Sequence, residues 1–218
     1  MHEKEEPKKI DLEKLKDEQL SLSRKIVLKD AFDFENARLF AAIHTETFNS
    51  SVLATVSVLN ENLEVVENKY AVEKARFPYI SGFRAYRELK AMIEAYQNLE
   101  TEPDVIFVEG HGISHPRHFG LACHLGLSLN KPTIGVAKNL LVGEVKNSDV
   151  IFKGKVVAKS LLTKEGAKPI YVSPGHLISL DSAVKVVKKC LKKPHKMPEP
   201  IVKARKFAKK VRKELKQP

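Results

Sequence analysis

Apolar and polar positions alternate along this chain in two rhythms, one helical and one extended. Residues 10–28 carry Ile10, Leu15, Leu20 and Ile26 among charges, a spacing that predicts a helix packing one stripe. The runs "ARLFAAIHTETF", "SVLATVSVLN" and "LEVVENKYAVEKA" are rich in β-branched residues, with "FNSS" and "NEN" as polar breaks between them. They predict an antiparallel meander. "FPYISG" breaks the pattern, because Pro78 drives Phe77 out of helical geometry. Phe83, Tyr86, Leu89, Met92, Ile93 and Tyr96 then recur at a helical period. "EPDVIFVEG" and "KPTIGVAK" are short continuous apolar runs, the mark of strands buried on both faces. "HPRHFGLACHLGLSLN" reads as the helix between them, so the three form a parallel crossover unit. "KVVAKSLL" and "KPIYVSPG" predict two more strands, and two helices close the chain. The first of these is "SLDSAVKVVKKCL", with Ser179 or Asp181 near its cap, and the second is "EPIVKARKFAKKVRKEL" after Pro200. With no repeat, low-complexity stretch or linker, the expectation is one α/β domain over residues 1–218. It holds a mixed sheet, an antiparallel meander followed by parallel strands, flanked by helices.

Charge adds a functional hint. The 218 residues carry 38 Lys and Arg against 27 Asp and Glu, a formal net charge of +11. Such an excess favours phosphate backbones, since each neutralised phosphate releases counterions. A lysine-rich solvated surface is the competing explanation. Much of the excess lies in the basic helical segment from about residue 180 onward, which suits either a backbone-tracking surface or a solvated helix face. No uncharged apolar run approaches membrane-spanning length, and the charged N-terminus does not resemble a secretory signal, so no membrane partner is expected. Cys123 and Cys190 offer neither a disulfide framework nor metal-ligand spacing, and a reducing cytoplasm is the expected compartment.

The stretch "VIFVEGHGISHPRHFG" concentrates the candidate chemistry. Open α/β sheets bind ligands at the carboxyl ends of their strands, where Glu109 is expected. A buried carboxylate must meet a cation or reach solvent. Gly110, Gly112 and Gly120 around it allow close approach of a ligand, or simply make a tight turn. His44 and Glu46 are two apart on the first strand and share a face. Glu88 lies on the helix after "PYISG", where it is either a metal ligand or the partner of Arg84 or Lys90. Carboxylates from two strands and a helix are what Mg²⁺ needs in a phosphodiesterase. Lys138 ends "TIGVAK" as Glu109 ends "VIFVE" and would pair with phosphate at the same sheet edge. His115 and His124 are open to structural or ligand roles. "YVSPGH" offers a further loop with Ser173, Gly175 and His176.

The segments "FPYISGFRAYRE", "DVIFVEGHGISHPRHFGLACHLGL", "PTIGVAK", "PIYVSPGH" and "PEP" resemble, in order and spacing, those of the endonuclease V family. The resemblance covers about residues 36 to 210. It implies an RNase H-like fold and hydrolysis, with Mg²⁺ or alternatively Mn²⁺, of the phosphodiester 3′ to inosine or another deaminated base in DNA or RNA. By that resemblance Tyr79 is the wedge that fills the gap left by an extruded base. Gly82, Gly110, Gly112 and His115 help line the base pocket, and Glu88 is a metal ligand. Lys138 lies near the scissile phosphate. The expected catalytic set is Glu46, Glu88, Glu109 and Lys138, and the expected metal ligands are His44, Glu46, Glu88 and Glu109. Four positions depart from the family pattern. His44 and Glu109 stand where aspartates are expected, Arg205 stands where a histidine is expected, and Ser81 replaces a proline. A second expectation follows from those departures: a homologue that binds lesion-containing nucleic acid without cutting it. A monomer is expected in either case.

Overall fold

A nine-stranded mixed sheet lies between two layers of helices in the computed structural model, which describes residues 10–216. The charged residues 1–9, part of the N-terminal expectation, lie outside the described residues. In chain order the elements are α1 (Leu12–Ser23), a single 3-10 turn (Phe34–Asn36), β1 (Phe40–Phe48), β2 (Ser51–Leu59), β3 (Val65–Lys74), α2 (Arg84–Gln97), β4 (Val105–Glu109) and α3 (Leu121–Leu129). They continue with β5 (Thr133–Ala137), β6 (Glu144–Lys146), β7 (Asp149–Phe152), β8 (Lys155–Leu161), β9 (Ile170–His176), α4 (Leu180–Lys189) and α5 (Glu199–Glu214). The strand order is β3-β2-β1-β4-β5-β9-β8-β7-β6.

The antiparallel meander β1–β3 forms as its alternation requires, and β4 and β5 join β1 in parallel. The two faces of these strands bury different partners. Ala42, Phe107 and Val136 pack with Val186 of α4 and Ile201 and Ala204 of α5. Ile43 and Ile106 pack with Met92 of α2 and Leu125 of α3. Ser179 caps α4 by accepting from the Ser182 amide at 3.2 Å. Among the described residues, no helix is long and apolar enough to cross a membrane.

Three departures from the sequence expectation have physical causes. First, β9 runs antiparallel to β5. A parallel neighbour needs a long crossover, usually helical. Residues 138–169 instead hold the β6–β8 hairpins, two strands of which were not expected. The turn between β6 and β7 puts Asn147 and Ser148 both at positive φ, 47° and 72°, the geometry of a tight hairpin. Second, α3 begins at Leu121 rather than near His115. Residues 113–119 are folded into turns by His115 N–H donating to the Ile113 carbonyl and His118 N–H to that of His115, both at 2.8 Å. Third, "YVSPGH" is part of strand β9, not a loop beyond it.

Candidate functional site

β1, β4 and β5 deliver their carboxyl ends to one edge of the sheet, and Glu109 stands at the centre of that edge. Three cationic or imidazole groups converge on it. Arg205 Nε donates to Oε2 at 2.7 Å while Nη2 contacts Oε1. Lys138 Nζ is 3.3 Å from Oε1, and His44 Nδ1 is 3.2 Å from Oε2. Burial alone would raise the Glu109 carboxyl, but the bonds to His44 and Arg205 and the Arg205 charge outweigh it and hold it far below the carboxylate range. The register of α5 on the sheet brings Arg205 there. Thr55 Oγ1, buried in β2, donates to the Ala204 carbonyl at 3.0 Å, and the small side chains of Ala204 and Ala208 let the helix lie close.

Glu88 is engaged elsewhere. Arg84, one turn before it on α2, donates Nε to Oε1 at 2.9 Å and Nη2 to Oε2 at 2.8 Å. Thr45 Oγ1 adds a third bond at 2.6 Å. Burial works against the Arg84 charge, yet Glu88 more than compensates and raises its pKa. Thr45 points to the α2 face of β1, whereas His44 follows Ala42 on the α5 face. Glu88 and the His44–Glu109 pair therefore approach from opposite sides of the strand. Glu46 faces α5, with Arg212 Nη1 3.9 Å from its Oε1, an ion-pair distance too long for a hydrogen bond. That buried oxygen has no hydrogen-bond partner.

Of the four expected metal ligands, His44 and Glu109 are in contact, whereas Glu88 and Glu46 turn to other partners. Among the described residues, no three His, Cys, Asp or Glu side chains group to hold a metal ion. Each expected carboxylate instead faces an arginine: Glu109 with Arg205, Glu88 with Arg84 and Glu46 with Arg212. A hard divalent cation wants several oxygens with surplus negative charge. In this arrangement each carboxylate charge is offset by an arginine, no surplus negative charge remains, and the residues do not fit one.

The base-pocket expectation fares differently. An open cleft of about 280 Å³ is lined by Tyr79, Ser81, Gly82, Glu109, Gly110 and Lys138 among others. It adjoins a small recess of about 40 Å³ bounded by Gln19, Gly82, His111, His115, Gly120 and His124. Tyr79 is 68% exposed at the rim. Gly82 bridges cleft and recess with φ at +79°, a conformation few side chains tolerate. Its carbonyl faces three donors: Arg117 Nη2 at 2.9 Å, and Gln19 Nε2 and His115 Nε2 at 3.1 Å. His115 therefore carries its proton on Nε2. Burial and the Arg117 charge lower its pKa to about 3, and burial with the same charge lowers that of His124 to about 3. Burial and Arg84 lower His111 to about 4. The recess is lined by neutral imidazoles.

Ser173, Gly175 and His176, expected at the substrate, line neither the cleft nor the recess. Ser173 Oγ, buried in β9, accepts from the Gly112 amide at 2.8 Å. Gly175 packs beneath α3, where an added Cβ would lie 2.3 Å from Thr133 Oγ1. His176 Nδ1 accepts from the Val27 amide at 3.3 Å. Gly112 belongs with them, since a Cβ there would meet the Pro174 carbonyl oxygen at 2.0 Å. These four build the wall behind the glycine turn. Sequence reasoning missed Gln19, Arg117 and Arg212 as site residues. Arg84 at i−4 from Glu88 was the one legible signal of a carboxylate already paired.

A family model described as Endonuclease V matches residues 20–206. The chain is 44% identical to an endonuclease V of Trichormus variabilis over 155 residues, 67% of this chain and 70% of that protein. It is 35% identical to one of Dictyoglomus turgidum over 202 residues, 88% of this chain and 87% of that protein. Among solved structures, Ciona intestinalis endonuclease V in complex with a 23mer DNA containing an inosine followed by a ribo-adenosine superposes with a TM-score of 0.85. That pair shares 29% identity, over 94% of this chain and 98% of that one.

Proposed function

The chain belongs to the endonuclease V family, with an RNase H-like fold, and from that premise we propose that it recognises a deaminated base, chiefly inosine, extruded from DNA. The observation that carries this reading is Tyr79, an exposed aromatic ring at the mouth of a cleft that leads into a glycine- and imidazole-lined recess. Extrusion costs a few kcal/mol, least at a mispaired base, and an inserted ring offsets part of it. Hypoxanthine lacks guanine's exocyclic amino group. A recess closed by backbone and neutral imidazoles leaves that extra donor unpaired, which disfavours guanine. Affinity for a duplex with one inosine, measured against the same duplex with guanine, tests the reading. A preference of at least about tenfold is expected, and equal affinities would refute it.

A second reading, strand hydrolysis beside the lesion, is supported by the endonuclease V family match over residues 20–206. Nicking of the inosine strand in Mn²⁺ and its loss in EDTA is the corresponding test. RNA in place of DNA is distinguished by running the same two assays on an inosine-containing RNA.

A further inference from the structure

We propose that Arg205, held in place by Glu109 beside the Lys138 that the family resemblance already sets near the scissile phosphate, makes this sheet edge a metal-free anchor for a backbone phosphate of the bound nucleic acid. The inference rests on the lesion-binding reading and adds how the strand is held. Two permanent cations face one carboxylate, so the cluster keeps at least one net positive charge whatever the state of His44. A phosphodiester, with one negative charge and two free oxygens, complements that surplus, whereas a divalent cation would be repelled by it.

Donor geometry points the same way. Arg205 spends Nε and one Nη2 hydrogen on Glu109 and leaves the rest of its fork unused by that carboxylate. Its side chain keeps 25% exposure, and that of Lys138 keeps 52%, with a single contact to Glu109. Both therefore have N–H donors to offer to solvent or to phosphate. Glu109 acts as a positioning residue, fixing the guanidinium plane and the ammonium at one place on the sheet edge. That place is contiguous with the wedge, since Lys138 and Glu109 line the same cleft as Tyr79 and Gly82. A strand whose base enters the recess would run its phosphate past these two cations.

The test is fluorescence anisotropy of the full chain with labelled duplexes carrying inosine or guanine, in EDTA, Mg²⁺ and Mn²⁺, across a salt series. The anchor predicts affinity in EDTA within about twofold of that in either metal. It also predicts that Arg205→Ala and Lys138→Ala each weaken both duplexes about tenfold and shallow the log–log salt slope by about one. Lys138 is half exposed, so its variant keeps the test valid if Arg205→Ala fails to fold, and thermal melting verifies both. EDTA-resistant, variant-sensitive binding without inosine preference would support the anchor and overturn the recognition reading. Binding abolished by EDTA and restored by Mn²⁺ would overturn the anchor, and inosine preference in Mn²⁺ would leave recognition standing. Unchanged affinity and slope in both variants would also overturn it.

Discussion

Arg205 of α5 and Glu109 of β4, 96 residues apart, meet through two contacts at the sheet edge, with Nε 2.7 Å from Oε2. Pairs of this kind contribute little net stability against a hydrophobic replacement, but breaking one leaves the other charge stranded. A double-mutant cycle with Arg205→Ala and Glu109→Ala, followed by urea unfolding, should return a coupling of about 1–3 kcal/mol. Coupling near zero would mean that solvent screens the pair.

Protonation of the recess gives a pH signature. His115 and His124 have folded pKa values of about 3, and His111 of about 4, against an ordinary 6.5. Each binds fewer protons folded than unfolded in that interval, so its contribution is complete above pH 6.5 and is lost as pH falls through the folded value. Glu109, also depressed, adds a loss that begins below its ordinary 4.5. Thermal unfolding should plateau above pH 6.5 and fall steeply towards pH 4, by on the order of several kcal/mol at about 1.4 per pKa unit. A flat Tm from pH 7 to pH 4 would contradict this assignment of neutral imidazoles.

Much of the fold was readable because its periods are strong. Ala42 and Phe107 alternate with Ile43 and Ile106 across buried strands, and α2 keeps its apolar stripe. β6 and β7 escaped because runs of three and four residues carry no period. The direction of β9 was lost with them, since it depends on what lies between it and β5. At the site, strand-end carboxylates and the glycine turn were legible as local patterns. Their partners were not, because pairing of Glu109 with Arg205, or of Glu46 with Arg212, depends on where α5 docks. Gln19 was hidden for the same reason, since its α1 setting gives no hint that it binds the Gly82 carbonyl.

Tyr79 should separate recognition from folding. At 68% exposure, Tyr79→Ala should change stability by no more than about 0.5 kcal/mol. Loss of base stacking is worth about 1–3 kcal/mol, so affinity for inosine DNA should fall roughly 5- to 150-fold. Affinity retained in a folded variant would remove the ring from the binding mode.

Gly112 should be intolerant for packing reasons. Gly112→Ala forces a Cβ to 2.0 Å from the Pro174 carbonyl oxygen, where both sides are backbone and neither yields. Destabilisation of about 3 kcal/mol is expected. Gly154→Ala, at φ +74° with nothing within 4 Å, carries only backbone strain and should cost about 1 kcal/mol. Equal Tm losses in the two variants would show that the turn relaxes.

The arginine-filled sheet edge should be convertible to a metal site. His44 Nδ1 lies 3.2 Å from Glu109 Oε2, so His44→Asp would set a second carboxylate beside the first. Arg205→His removes the guanidinium that now occupies Glu109 and restores the residue type that the family resemblance implies. The double variant then offers two carboxylates and an imidazole around one point, with the negative charge a hard cation requires. At free Mn²⁺ of 100 times Kd, binding to the folded state alone stabilises by about 2.7 kcal/mol. For a chain of this length that corresponds to a Tm rise of roughly 5–10 °C. The wild-type protein, in which Arg205 and Arg84 hold Glu109 and Glu88, should shift by less than about 1 °C under the same conditions. A large Mn²⁺ shift in the wild type would show that its arginines yield to the ion.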